Sequence, residues 1–442
     1  MGDQTRNTPA RVRRLAPPAT WSAPGRPRAS ALALGGLAPR KAAAASGARV
    51  VVVGGGPGGA TAAKYLRLFD PSLRVTLVEP KSAYYSCFGA NWHLAGIRPL
   101  SKTRQTFDAL RDKHGVEVVQ DRVTGWDADA GTAELAGGSR LAFDRLVVSP
   151  GIELAWDRVE GMGPDDAEQI PHAWQGGEQY RILRSQLEAM DDGGLVVICA
   201  PPNPFRCPPG PYERIGLIAH YLKQQKPKSK VLALDPKDGF AKQGLFEQGW
   251  RELYGDMIEW VPGSQGGALY EVDPKTRTVL TQEGFQKHEA DVLNVIPPQR
   301  AGRIAQEMGL TDASGWCPVN QQTFASDRQP NVHVIGDSAI AGAMPKSGHA
   351  ANSQGKMVAA AIVNQLRGQP VPDAKLVNTC YSLVSPTYGI SVAAVYRFDG
   401  GKIAGVEGAG GLSPSEADEF TRIQEARYAQ GWYDAITDDI YG

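Results

Sequence analysis

The chain has 442 residues, 42% of them hydrophobic, and a formal net charge of zero. That length holds two or three cores at ~100–200 residues per domain, and no stretch approaches the ~18 apolar residues of a membrane-spanning helix, which excludes stable membrane insertion. The zero is a balance of opposites: residues 1–47 carry eight Lys and Arg against Asp3 alone, so the head is at +7 and the remainder at −7, a sign that argues against a nucleic acid partner.

The basic head is rich in Pro, Ala and Arg and leads into a mildly apolar stretch at 29–38 and a small-residue site at 42–48. It reads as an export signal over residues 1–47, with Arg13 and Arg14 placed as in a twin-arginine leader, so the expected location is the periplasm. Gly25-Arg26-Pro27-Arg28 interrupts the pattern, which leaves a disordered extension or a misassigned start as the alternatives.

Arg49–Val53 predicts a buried parallel strand, residues 54–59 fit G-x-G-x-x-G, and Ala60–Phe69 predicts a helix. A second strand, Arg74–Val78, ends at Glu79 at the usual distance for a ribose-binding acid. Gly54 makes the tight turn, Gly56 with Pro57 lets a pyrophosphate approach, Gly59 lets the helix pack on its strand, and Glu79 accepts from ribose hydroxyls. This pattern points to a dinucleotide without choosing between FAD and NAD. Leu141–Gly151 reads as one strand returning to the same sheet, and Val123 and Gly151 are placed with the cofactor contacts. A second strand-turn-helix unit spans residues 193–297. Its strand, residues 195–200, runs into a loop holding Pro201, Pro202, Pro204, Cys207, Pro208 and Pro209, where a nicotinamide-binding protein would carry glycines. Prolines offer no N–H to a pyrophosphate, so the loop excludes NAD(P)H there, although Asp235 ends the next strand where a ribose-binding acid belongs. Further on, Val332–Ser338 is a strand stopping at Gly336-Asp337, an anion-friendly turn that places Asp337 on the ribityl side of a flavin. Residues 389–396 alternate like a strand.

Five cysteines divide into kinds. Cys199, in an apolar strand, and Cys317 read as buried, inert thiols. Cys207 precedes a helix over 213–222, whose N-terminal dipole is expected to favour its thiolate. Cys380 lies in a distant segment; a disulfide between the two is allowed in an exported chain, and spacing does not prove it. Glu213, in the first helical turn, reads either as a helix-dipole partner or as the base that takes a proton from an incoming thiol.

Taken together, Tyr84–Cys87, Pro204–Arg214, Ile296–Gly302, Pro345–Gly348, Ala351–Lys356 and Asn378–Ser382 resemble the flavoprotein subunit of flavocytochrome c sulfide dehydrogenase, a relative of sulfide:quinone oxidoreductase. The resemblance implies an α/β fold of two Rossmann-like dinucleotide-binding domains plus a C-terminal α+β domain: FAD-binding residues 48–160 and 301–370, a second domain at 161–300, and a C-terminal interface domain at 371–442. It implies FAD attached through Cys87, a redox-active Cys207–Cys380 disulfide with Glu213 as the third catalytic residue, cofactor contacts at Lys346 and Asn352, sulfide as substrate and a separate c-type cytochrome subunit, since this chain has no C-x-x-C-H. The loop Phe88–His93 departs from the bulkier polar sequence expected there. Two rival readings are a sulfide:quinone oxidoreductase and a non-catalytic flavin-binding redox sensor. Against the quinone reading, residues 413–442 hold seven acids and two arginines, a net of −5 that an anionic lipid surface repels. Phe420, Ile423, Trp432, Tyr433, Ile436 and Ile440 are expected to pack this helix on its own domain or on a cytochrome.

Overall fold

The computed structural model describes residues 47–442, so the export-signal reading of the head lies outside the described residues. Strand β1 (Arg49–Val53) leads through the glycine loop into helix α1 (Pro57–Phe69) and strand β2 (Arg74–Val78); β3 is Glu117–Val119 and β4 is Arg145–Val148. The helix begins three residues before Ala60, because Pro57 fixes φ at the first helical position, where its missing N–H costs nothing. The strand expected over 141–151 is interrupted: Arg140–Ala142 joins a small antiparallel sheet, and the chain turns at Asp144 before β4 begins. Asp144 holds that turn by accepting from the Arg49 N–H at 2.7 Å and from its guanidinium at 2.9 Å.

The second unit comprises β5 (Leu195–Cys199), helix α2 (Gly210–Gln225), β6 (Lys230–Leu234), α3 (Gln243–Tyr254), β7 (Ile258–Val261) and β8 (Val292–Val295). Then follow β9 (Val332–Val334), α4 (Gly348–Leu366), the long strands β10 (Lys375–Ser385), β11 (Tyr388–Asp399) and β12 (Lys402–Leu412), and α5 (Glu419–Tyr441). The first sheet is parallel in the order β9-β4-β1-β2-β3, and the second is parallel in the order β7-β6-β5-β8. Near-continuous apolar strands suit sheets covered on both faces: Val50, Val52, Leu77 and Leu146 are fully buried. Each such side chain contributes about 1.5–3 kcal/mol of burial free energy.

Helix α4 crosses α1 at close quarters because Gly355 has no side chain; a Cβ there would stand 2.7 Å from the Gly58 carbonyl. Strands β10, β11 and β12 form a separate antiparallel sheet, with Gly389 lying directly against the backbone of α5 at Ala426. The far end of α5 returns to the first unit: Lys64 donates to the Asp439 carbonyl at 2.9 Å, a cation on the negative end of a helix, and Tyr441 donates to the Gly55 carbonyl at 3.3 Å. Tyr433, Ile436 and Ile440 are buried as expected, whereas Phe420 is exposed.

Candidate active site

A cavity of about 470 Å³ opens at the carboxyl ends of the first sheet, where a parallel α/β sheet places its ligand. Gly54, Gly56, Pro57, Glu79, Val123, Gly151 and Asp337 line it. Gly54 holds φ +98°, and a side chain there would strike the Ser149 carbonyl; at Gly59 it would strike the carbonyl of Gly54, which closes α1 onto β1. Glu79 is fixed by backbone donors, Gly55 N–H to Oε2 at 2.8 Å and Lys81 N–H to Oε1 at 3.0 Å. Gly336, at φ +75°, donates its N–H to Gln354 Oε1 at 2.8 Å, and the neighbouring Asp337 keeps Oδ1 buried without a partner. Burial raises the Asp337 carboxyl above its ordinary value, opposed by Arg206 and Lys346. A helix N-terminus for a pyrophosphate, a positioned acid for a ribose and an orphaned carboxylate oxygen for a hydroxyl chain fit FAD.

Cys87, Lys346 and Asn352, expected at the cofactor, are not among the residues lining this cavity. Asn352 lies between helices, donating to Thr61 Oγ1 at 3.0 Å and Asp439 Oδ2 at 2.8 Å. Lys346 sends its ammonium to the Asp337 carbonyl at 2.6 Å and over the Trp316 ring, on the wall of a second cavity of about 430 Å³. Tyr84, Gln175 and Arg206 line the FAD cavity and have no local pattern that marks them, though Tyr84 and Arg206 stand inside two of the family-like segments.

The Pro-rich loop brings Cys207 to the edge of this site. Cys207 sits at φ +57°, held by its N–H to the Lys346 carbonyl at 2.7 Å and by Gly210 N–H to its own carbonyl at 2.8 Å. The dipole expectation is corrected here. Burial pushes the Cys207 thiol well above its ordinary value, and Cys380, Cys87 and Glu213 add to the rise. Loss of solvent around sulfur outweighs one helix terminus. Cys380, on β10, is raised by burial and opposed by Lys242, whose ammonium donates to the Cys380 carbonyl at 3.2 Å and to Ser382 Oγ at 2.8 Å. Among the described residues the five cysteines stand as thiols; Cys199 and Cys317 are buried, each pushed up to about 12 by burial.

Glu213 is buried on the first turn of α2. Its Oε1 accepts from Trp92 Nε1 at 3.1 Å and from the Leu383 N–H at 2.9 Å, and its Oε2 accepts from Asn91 Nδ2 at 3.0 Å. Burial nevertheless raises its pKa. The departing loop Phe88–His93 therefore supplies two of this carboxylate's three donors, and Asn91 also accepts from Arg214 Nε at 3.2 Å. In the second unit Asp235 faces inward, fully buried, accepting from Tyr212 Oη at 2.6 Å and Trp260 Nε1 at 3.2 Å and pairing with Lys237 at 2.6 Å. No oxygen is left for a ribose.

The fold and the cavity define a flavoprotein of the pyridine nucleotide-disulphide oxidoreductase class, whose family model matches residues 48–187, and FAD is its cofactor. Residues 180–297 match the central part of the sulfide dehydrogenase [flavocytochrome c] flavoprotein chain, and residues 372–441 match the flavocytochrome c sulphide dehydrogenase flavin-binding model. Over these segments the chain is similar to the flavoprotein chains of flavocytochrome c sulfide dehydrogenase. It is 72% identical over 30 residues to such a chain from Chlorobaculum thiosulfatiphilum, covering 7% of this chain and 62% of that sequence. It is 22% identical over 273 residues to the mitochondrial sulfide:quinone oxidoreductase of Schizosaccharomyces pombe, 58% of each protein, so the chain spans about three fifths of the length of these relatives. Among solved structures, sulfide:quinone oxidoreductase from Aquifex aeolicus has a TM-score of 0.68 at 19% identity, covering 89% of this chain and 92% of that one. An NAD-dependent persulfide reductase from A. fulgidus has a TM-score of 0.60 at 15% identity, covering 88% and 77%.

Proposed function

We propose that the chain oxidises hydrosulfide through a Cys207–Cys380 disulfide beside FAD and passes the electrons to a c-type cytochrome subunit in the periplasm. What supports this reading is that helix α2, which follows Cys207, packs on strand β10, which carries Cys380, and that Glu213 of α2 accepts from the Leu383 N–H of β10 at 2.9 Å. Hydrosulfide attacks one sulfur of the pair, forming a persulfide there and releasing the other as a thiolate. Removal of two electrons then lets the thiolate and persulfide re-form the disulfide, and the sulfane sulfur leaves on a second hydrosulfide as a disulfane anion. Lys242 favours the anionic form of Cys380, and Glu213, with its raised pKa, is suited to hold the proton that hydrosulfide surrenders. FAD, when bound, supplies the two-electron acceptor and can hand electrons on singly. Cys87, half-buried on the loop after Tyr85, is the residue proposed to hold it covalently.

One observation favours a second reading, with a quinone as acceptor: the second cavity, behind the Cys207 loop, is walled by Phe205, Trp316, Ile340 and Met344. Stopped-flow spectra decide. Anaerobic sulfide is expected to bleach the oxidised holoprotein, and cytochrome c to restore its colour faster than a quinone analogue; Cys207→Ser and Cys380→Ser abolish bleaching. Full bleaching in both variants overturns the disulfide route, and faster recovery with the quinone overturns the cytochrome route. Mass spectrometry of the denatured protein is expected to find flavin on the Cys87 peptide.

A further inference from the structure

Two polar atoms on the wall of the FAD cavity remain when every protein partner has been assigned. Asp337 Oδ1 and Arg206 Nε are both buried and neither has a hydrogen-bond partner. They carry opposite charge. The arginine is held at both ends: its backbone N–H donates to Gln299 Oε1 at 2.9 Å, and its Nη2 donates to the Trp174 carbonyl. Chain and tip are thereby fixed, and Nε–H is a buried donor left without a partner. An unpaired interior donor is costly, and an occupant of the cavity can offset that cost.

The other cations near the cavity are committed elsewhere or wet. Lys346 is bonded to the carbonyls of Asp337 and Ala339. Arg303 pairs with Glu153 at 3.1 Å, and Lys81 and Arg122 are exposed, where water screens their charge. Arg206 also has the right neighbours. It directly precedes Cys207, so a permanent charge and the sulfur site occupy adjoining residues. Burial opposes the guanidinium charge, but Cys87, Asp337 and Tyr84 around it more than compensate. Because the glycine loop and Glu79 take the phosphates and ribose, the part of the cavity lined by Arg206, the residue before Cys207, is left for the flavin ring.

We propose that Arg206 is a cofactor-facing residue whose guanidinium donates to the flavin ring of FAD and favours its two-electron-reduced, negatively charged form. Two electrons and one proton leave the ring with one extra negative charge. A fixed cation in a desolvated site stabilises that charge and raises the potential at which the flavin is reduced. This proposal rests on FAD and not on sulfide as the substrate, so it stands or falls separately from the route through the disulfide.

The test is an anaerobic reductive titration of purified holoprotein against an indicator dye. Arg206→Met is expected to make reduction at least tenfold less favourable, about 30 mV for a two-electron couple. Arg206→Lys, which keeps the charge, is expected to stay within about threefold of the parent. An unchanged potential in Arg206→Met overturns the proposal, and so does an equal displacement in the Met and Lys variants, since that assigns Arg206 to packing alone. If Arg206→Met retains no FAD, Arg206→Gln takes its place. If both lose FAD, retention in Arg206→Lys at the parent potential supports the charge requirement and loss there overturns it.

Discussion

Glu213 shows how much a residue's surroundings decide. Three donors converge on one buried carboxylate, from a tryptophan, an asparagine that also donates to the Gly210 carbonyl, and a strand N–H. Glu213→Ala is expected to destabilise the protein by roughly 2–5 kcal/mol, the cost of stranding those donors, read from denaturant midpoints. Asn91→Ala, which removes one donor and leaves the carboxylate, is expected to cost less. An alanine variant as stable as the parent would show that water enters the space and replaces the carboxylate. With both oxygens engaged, the Glu213 side chain is held in place, so on the route proposed above it would act through charge and protonation rather than by moving.

At the scale of elements, helix α5 binds the ends of the chain's architecture together. Its acidic composition is visible in the sequence, but its docking site is not, because the partners are single side chains on other elements. Lys64 and Tyr65 on α1 meet Asp439, Lys356 on α4 meets it at 2.7 Å, and Tyr433 shares a 2.8 Å hydrogen bond with Ser86 beside Cys87. Removing residues 438–442 strips the carbonyls that Lys64 binds and the tyrosine that reaches Gly55. The shortened protein is expected to be purified with less flavin per chain, because the site closes poorly before the cofactor is taken up, and to melt several degrees lower, as the loss of ~1–2 kcal/mol implies. Unchanged flavin content would confine α5 to the C-terminal sheet. The same scale explains what was legible. The unit β1-loop-α1-β2 could be read because its signals are local, and the Pro-rich loop because it breaks a known pattern. The break at Asp144 was hidden, since the bond from Arg49 that makes it crosses nearly a hundred residues. Asp235 looked like a ribose acid for the same reason: only the folded chain brings Tyr212, Trp260 and Lys237 onto it.

For the whole molecule, buried histidines set the acid limit. His172 is held down to about 3, and His333 and His349 to about 4, in each case first by burial. Their folded pKa values lie below the unfolded value of 6.5, so the unfolded chain takes up protons first as the pH falls. Stability is therefore full above pH 6.5 and declines below it. Glu213 works oppositely: its raised pKa favours the folded state at low pH, so it does not contribute to that decline. Urea midpoints are expected to fall between pH 7 and 5, and His172→Asn to flatten the slope; a flat profile in the parent would mean that these rings are protonated in the fold.

The FAD cavity draws one wall from Gly56 and another from Asp337, residues separated by more than half the chain. A ribosome must finish β9 before that pocket can close, because the strand inserts beside β4 and carries Asp337 at its end. Flavin capture is thus a late event in the protein's making. The yellow colour of the holoprotein serves as a certificate of completed topology: a chain that halts or misroutes after the second unit can look well structured by its first strands and still come off the column colourless.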